Sequence, residues 1–237
     1  MDGGAARGRL DVCPTGFATL DSALQIGGYP RGRITEIFGP ENCGKTALAL
    51  QAIARLQRYG GAAAWIDAEH AFHPQFAAQL GVSLAGLPVA EPATTEEALE
   101  IARRFACSGA VDLVVIDSAA ALVPQLELET GLGGAGSLHS RVLASELRRL
   151  AWLASRTAVC VIFLNQTRVR PASVPGELET SAGGPSLKLY AAVRIALSAA
   201  GRKVRFRVLK NRYAAAFTAG ELEWRRGVGF EEAGSAR

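Results

Sequence analysis

The chain has 237 residues, 49% hydrophobic and 20% charged, with a formal charge of +4 from 26 Lys and Arg against 22 Asp and Glu. That length fits one large domain, or one domain with a short appendage, and buries a sizeable core. No apolar stretch is long enough for a membrane-spanning helix, the opening residues lack the apolar run of a secretory leader, and the four cysteines, Cys13, Cys43, Cys107 and Cys160, have neither metal-site spacing nor disulfide density. The expectation is a soluble, cytoplasmic protein with free thiols and no membrane partner, whose mild positive charge permits a nucleic acid partner without requiring one.

Residues 1–14 read as a flexible opening segment, 15–230 as one domain and 231–237 as a flexible tail. Apolar, β-branched runs at Arg33–Phe38, Ala62–Asp67, Val111–Asp117 and Ala158–Asn165 alternate with segments of helical period. This βαβ rhythm predicts an α/β fold, a mostly parallel twisted sheet with helices on both faces. Leu48, Ile53 and Leu56 give the first helix an apolar face that stops at Gly60 and Gly61; further helices are predicted at Thr95–Cys107 and Leu138–Ser155. The Gly-rich stretches Glu129–Ser137 and Arg168–Gly184 read as loops. Strands at Ala191–Ser198, Lys203–Lys210 and Glu221–Trp224 follow, as antiparallel hairpins that extend the sheet.

Gly39-Pro40-Glu41-Asn42-Cys43-Gly44-Lys45-Thr46 fits GxxxxGK[ST] between a predicted strand and a predicted helix, the context a phosphate-binding loop needs. Its glycines let successive N–H groups wrap phosphates, Lys45 reaches the β and γ phosphates, and Thr46 offers a hydroxyl to Mg²⁺; with Ala47 the run forms the expected ATP site. Leu113-Val114-Val115-Ile116-Asp117 is an apolar strand ending in an acid, which places Asp117 beside the metal. Asp67-Ala68-Glu69-His70 closes the preceding strand: Glu69 is the candidate to polarise attacking water, and Asp67, still in strand phase, caps or braces. His70 and His73 have no accompanying ligand set and read as turn residues. Asn165-Gln166 ends another strand, where an amide can sense the γ phosphate and pass that on to the Arg168–Gly184 loop.

Basic residues gather at Arg141, Arg148, Arg149, Arg168, Arg170, Lys188 and Arg194, in or beside the two loops, and again at Arg202, Lys203, Arg205, Arg207, Lys210 and Arg212. Guanidiniums and Gly-rich backbone suit a phosphodiester chain, although few aromatics are interleaved for stacking; Arg141, Arg148, Arg168, Arg170, Gly183 and Gly184 are the candidate DNA contacts.

From about Thr15 to Phe230 the sequence resembles the RecA family. The blocks that carry the resemblance are Thr15-Gly16, Leu20-Asp21, Gly32-Arg33-Ile34, the phosphate loop, Ile66–Ala71, Val111–Leu122, Phe163–Gln166, Thr180–Gly184 and Lys210-Asn211-Arg212. The resemblance implies a RecA-like P-loop NTPase core, Glu69 as general base and Gln166 as the amide that couples γ phosphate to the second DNA loop. It implies that Lys210 and Arg212 act on the nucleotide of a neighbouring subunit, and that His73 and Phe76 lie on the adenine side. Arg212 stands where the family usually has lysine, Pro171 and Pro175 fall in the second loop, and the core begins almost at once, without the family's N-terminal helix and strand or its C-terminal domain.

The expected function is a DNA-dependent ATPase of repair and recombination that self-associates on single-stranded DNA. The alternatives are a RecA-like accessory protein of SOS mutagenesis, partnered by RecA or a translesion polymerase, and a P-loop kinase or switch.

Overall fold

The computed structural model describes residues 10–130, 136–169, 179–181 and 185–234, with side chains at 10–130, 140–167, 181 and 185–234. In chain order the elements are β1 (Val12–Cys13), α1 (Ala18–Leu24), β2 (Tyr29–Pro30), β3 (Ile34–Gly39), α2 (Lys45–Arg58), β4 (Ala63–Asp67), α3 (Pro74–Gln79), β5 (Val89–Ala90), α4 (Thr95–Ser108), β6 (Leu113–Asp117), α5 (Gln125–Thr130) and α6 (Gly136–Thr157). Then come β7 (Cys160–Val169), β8 (Glu179–Ser181), α7 (Pro185–Tyr190), β9 (Val193–Ala200), β10 (Lys203–Asn211), β11 (Ala219–Arg225) and β12 (Gly229–Glu232).

The main sheet runs β12-β11-β10-β9-β3-β7-β6-β4-β5, with β8 paired to the far end of β7. From β9 to β5 the neighbours are parallel, and β9 to β12 form the antiparallel extension. Alternation along each strand feeds two apolar layers. Val115, Ile162 and Ile195 meet α1, α2 and α3 on one face; Val114, Ile116 and Phe163 meet α4, α6 and α7 on the other. Strands this buried need apolar runs rather than alternation with polar residues, which is the pattern the sequence shows.

Local chemistry sets the helix ends. The Thr94 hydroxyl caps α4 by accepting from the Glu97 N–H at 3.1 Å, while the Glu97 carboxylate reaches back to the Ala93 N–H at 2.8 Å, and Gly109 ends the helix at φ +68°. Among the described residues no helix is long and apolar enough to cross a membrane.

Several expected boundaries move. Val12 and Cys13, placed in a flexible opening segment, form β1 against Tyr29 and Pro30, with Cys13 buried. Glu231 and Glu232, placed in a tail, belong to β12, and the Glu232 carboxylate accepts from both the Thr19 N–H and the Thr19 hydroxyl. The expected loop at Glu129–Ser137 is helical at both ends, and residues 131–135 lie outside the described residues. Within the expected Arg168–Gly184 loop, Arg168 and Val169 belong to β7 and Glu179–Ser181 form β8, with Thr167 opposite Ser181; residues 170–178 and 182–184 lie outside the described residues.

Candidate nucleotide-binding site

The C-terminal ends of β3, β4, β6 and β7 open on the same side of the sheet, and the residues there surround a cavity of about 590 Å³. Its lining includes the loop from Glu41 to Ala47, Glu69, Phe76, Asp117, Gln166, Trp224 and Phe230. This is where a parallel sheet places a ligand, because the strand ends leave unpaired backbone and the following helix presents its N-terminus.

The loop is shaped by what its glycines avoid. A Cβ on Gly39 would lie 2.4 Å from the Leu197 carbonyl oxygen; one on Gly44, at φ +91°, would lie 2.3 Å from Phe230 Cζ. The backbone therefore packs against β9 and β12 in a way that other residues cannot copy. Lys45, only 9% exposed, turns its ammonium back on the loop and donates to the carbonyls of Gly39 at 3.1 Å and Pro40 at 2.7 Å. Asn42 also takes a left-handed conformation, at φ +58°.

Asp117 comes from the end of β6, and its Oδ2 accepts from the Thr46 hydroxyl at 3.0 Å. Burial, and then the Glu69 charge, push its carboxyl up to about 7, against the lowering effect of the Thr46 hydrogen bond and the Lys45 charge. Glu69 follows β4 and is held from two sides: the Ser118 hydroxyl donates to its Oε1, and Gln166 Nε2 donates to the same oxygen at 3.4 Å. The Ala68 and Glu69 N–H groups both donate to the Asp117 carbonyl, at 2.7 and 3.2 Å, which locks the turn after β4 onto the end of β6. Asp67 does brace, taking the Phe72 N–H at 2.7 Å.

Beneath Gln166 lies a polar pair buried in the sheet. Glu36, 0% exposed, accepts from Arg194 Nε at 2.5 Å and from Asn165 Nδ2 at 2.9 Å. Arg194 reaches on to the Ser181 hydroxyl at 3.2 Å, and Asn165 Oδ1 takes the Gln166 N–H at 2.9 Å. The Gln166 backbone is thus tied, through Asn165, to a buried ion pair that reaches β8. Sequence reading missed Ser118, Glu36, Phe230 and Trp224 at this site. Only Ser118, adjacent to Asp117, carried a local signal.

Phe76 lines the cavity, and its ring centre lies 6.4 Å from that of Trp224. His73 does not line it; its Nδ1 caps α3 by accepting the Phe76 N–H at 3.1 Å. Lys210 and Arg212 are not brought to the site. The Lys210 ammonium donates to the carbonyls of Lys188 and Leu189, and Arg212 donates to that of Leu189. The Arg212 N–H bonds the carbonyl of Ala192, whose own N–H bonds that of Ile34, so Arg212 is level with the end of β3 opposite Gly39. Arg141 and Arg148 are exposed on α6. Arg168 lies in β7 with its side chain outside the described set, and Arg170, Gly183 and Gly184 fall outside the described residues.

A GxxxxGKT loop between a strand and a helix of a parallel sheet, with an acid on a nearby strand bonded to its threonine, defines a P-loop nucleotide-binding protein. The sequence matches the family model of the RecA N-terminal domain over residues 2–231. Relatives named Protein RecA include those of Leifsonia xyli subsp. xyli, 46% identical over 98% of this chain and 68% of its own length, and Treponema pallidum, 47% over 93% and 57%. Another, from Acidothermus cellulolyticus, is 45% identical over 98% of this chain and 71% of its own length. The chain belongs to the RecA family. It spans between just over half and about seven tenths of these relatives' lengths.

Proposed function

We propose that this chain is a cytoplasmic ATPase of DNA repair and recombination, residues 15–230 forming its catalytic unit, that binds single-stranded DNA and hydrolyses ATP between self-associated subunits. The observation that supports this reading best is the convergence of Lys45, Thr46, Asp117, Glu69 and Gln166 on one cavity from four strand ends. Lys45 leaves its two loop carbonyls to meet the β and γ phosphates, a short exchange of neutral acceptors for charged ones. Glu69, oriented by Ser118 and Gln166, takes the proton of the attacking water.

The residues fit a magnesium ion. Asp117 is a buried carboxylate whose ionised form is disfavoured, and it already holds the Thr46 hydroxyl that would be its co-ligand. Among the described residues no group of three His, Cys, Asp or Glu side chains is disposed to hold a metal, so Thr46 and Asp117 would hold a cation here together with phosphate and water. Such an ion would supply neutralisation of phosphate charge. Lys210 and Arg212, at the other end of the sheet, serve the nucleotide of a neighbouring subunit, where they stabilise charge on the transferred group.

The test is separation of binding from turnover. Lys45→Ala loses binding of a fluorescent ATP analogue, whereas Glu69→Gln keeps the wild-type Kd and loses about 10²- to 10⁴-fold in kcat. Wild-type turnover in Glu69→Gln would reassign the base.

A further inference from the structure

We propose that Trp152 is a base-stacking contact for single-stranded DNA, at the far end of a cationic stripe along α6. The inference rests on the DNA-binding reading above and adds to it a residue and a mode of contact. α6 buries Leu143, Leu147, Leu150 and Ala154. At 100° per residue, Arg141, Arg148, Trp152 and Arg156 all fall within about 50° of the direction opposite that buried face, and from Arg141 to Arg156 they cover roughly 22 Å of helix. The stripe therefore starts in the second turn of α6 and runs past Arg141 and Arg148, the two arginines read as candidate DNA contacts, to Trp152 and Arg156.

Trp152 is 61% exposed. An exposed tryptophan alone is ordinary, but this one is ringed by cations. The Arg156 guanidinium lies over its ring, 5.5 Å from the centroid. Arg148, one turn before it, has no carboxylate within ion-pair distance among the described residues, whereas Arg103 and Arg149 are tied to Glu100 and Glu146. Beside the ring is a recess of about 480 Å³ lined by Arg103, Arg148, Arg149, Trp152 and Leu153. Charge complementarity selects a polyanion, and the serial arrangement selects a strand. Phosphates in a row meet guanidiniums in a row, and a base has an aromatic face to lay on the indole, whatever its sequence.

The wild-type chain and its variants are titrated into a fluorescein-labelled single-stranded oligonucleotide, followed by anisotropy at several salt concentrations. Trp152→Ala binds about tenfold more weakly, with an unchanged slope of log affinity against log salt, because stacking releases no counterion. Trp152→Phe, which keeps a ring, stays within about twofold of wild type. Arg148→Ala reduces the slope by about 0.7. A strand of the same length made of abasic units quenches tryptophan emission far less than the normal strand. Wild-type affinity in Trp152→Ala overturns the stacking contact while leaving the DNA reading intact. Failure of wild type itself to bind at low salt removes the DNA reading and this contact together. Shielding of Trp152 from iodide by an acidic peptide, with none by DNA, also overturns the proposal.

Discussion

Replacing Asp117 with asparagine isolates the cost of the site's buried charge. The carboxyl titrates at about 7 in the folded chain against a reference of 3.8. Between those values the native state keeps a proton that the unfolded chain has lost, so the native state binds more protons and stability falls as pH rises. About three pK units at 1.36 kcal/mol each give a ceiling of about 4 kcal/mol, reached by pH 8 and reduced to about 1–2 kcal/mol at pH 5. The substituted amide cannot ionise, and it still reaches Thr46. In EDTA, without nucleotide, Asp117→Asn is therefore the more stable protein at pH 8, by up to about 4 kcal/mol, or on the order of 10 °C in Tm at this chain length. The gap closes towards acid. Thermal melts followed by circular dichroism from pH 5 to 8 measure it, and adding Mg²⁺ with a non-hydrolysable ATP analogue raises the wild-type Tm more than the variant's. An Asp117→Asn protein that melts at or below wild type at pH 8 would refute the reasoning, since the charge would then cost nothing where it sits.

Gly44→Ala puts a methyl group 2.3 Å from Phe230 Cζ on a backbone at φ +91°, so nucleotide binding is lost and the unfolding midpoint in urea drops by the equivalent of roughly 2–3 kcal/mol; intact nucleotide affinity contradicts the packing argument. Glu36→Gln leaves the Arg194 guanidinium inside the sheet without its anion, and the same urea assay shows a loss of about 3–5 kcal/mol, a value near zero arguing against the ion pair. Lys45→Ala and the double change Lys210→Ala, Arg212→Ala are each inactive alone. An equimolar mixture regains turnover, because an intact phosphate loop then meets intact cations from its neighbour; a mixture as dead as its parts places those cations elsewhere.

The phosphate loop was legible because its chemistry is local: eight consecutive residues whose glycines, Lys45 and Thr46 stand at fixed spacing around the start of the helix at Lys45. The same holds for Asp117 and Glu69, which stand at the ends of apolar runs. Strand order, by contrast, depends on long-range pairing, and so does everything that braces the site. Phe230 shapes Gly44 from 186 residues away in sequence, Glu36 holds Asn165 across 129, and Thr19 holds Glu232 across 213, which is why a polar chain end was read as a tail. His73 was placed on the adenine side by resemblance; the capping role of its Nδ1 at the start of α3 had no signal in that reading. The predicted helix over Leu138–Ser155 already put Trp152 one turn from Arg148, but its 61% exposure and the Arg156 guanidinium over its ring depend on the packing of α6.

The most direct measurement is the steady-state ATPase rate with and without single-stranded DNA, over a range of protein concentrations and at low and high salt. Turnover per chain that rises with DNA and with protein concentration, and falls with salt, is the predicted result for an ATPase assembled on DNA with its site completed by a neighbour. A rate per chain that is slow, indifferent to DNA and independent of concentration would contradict the account and favour an accessory role.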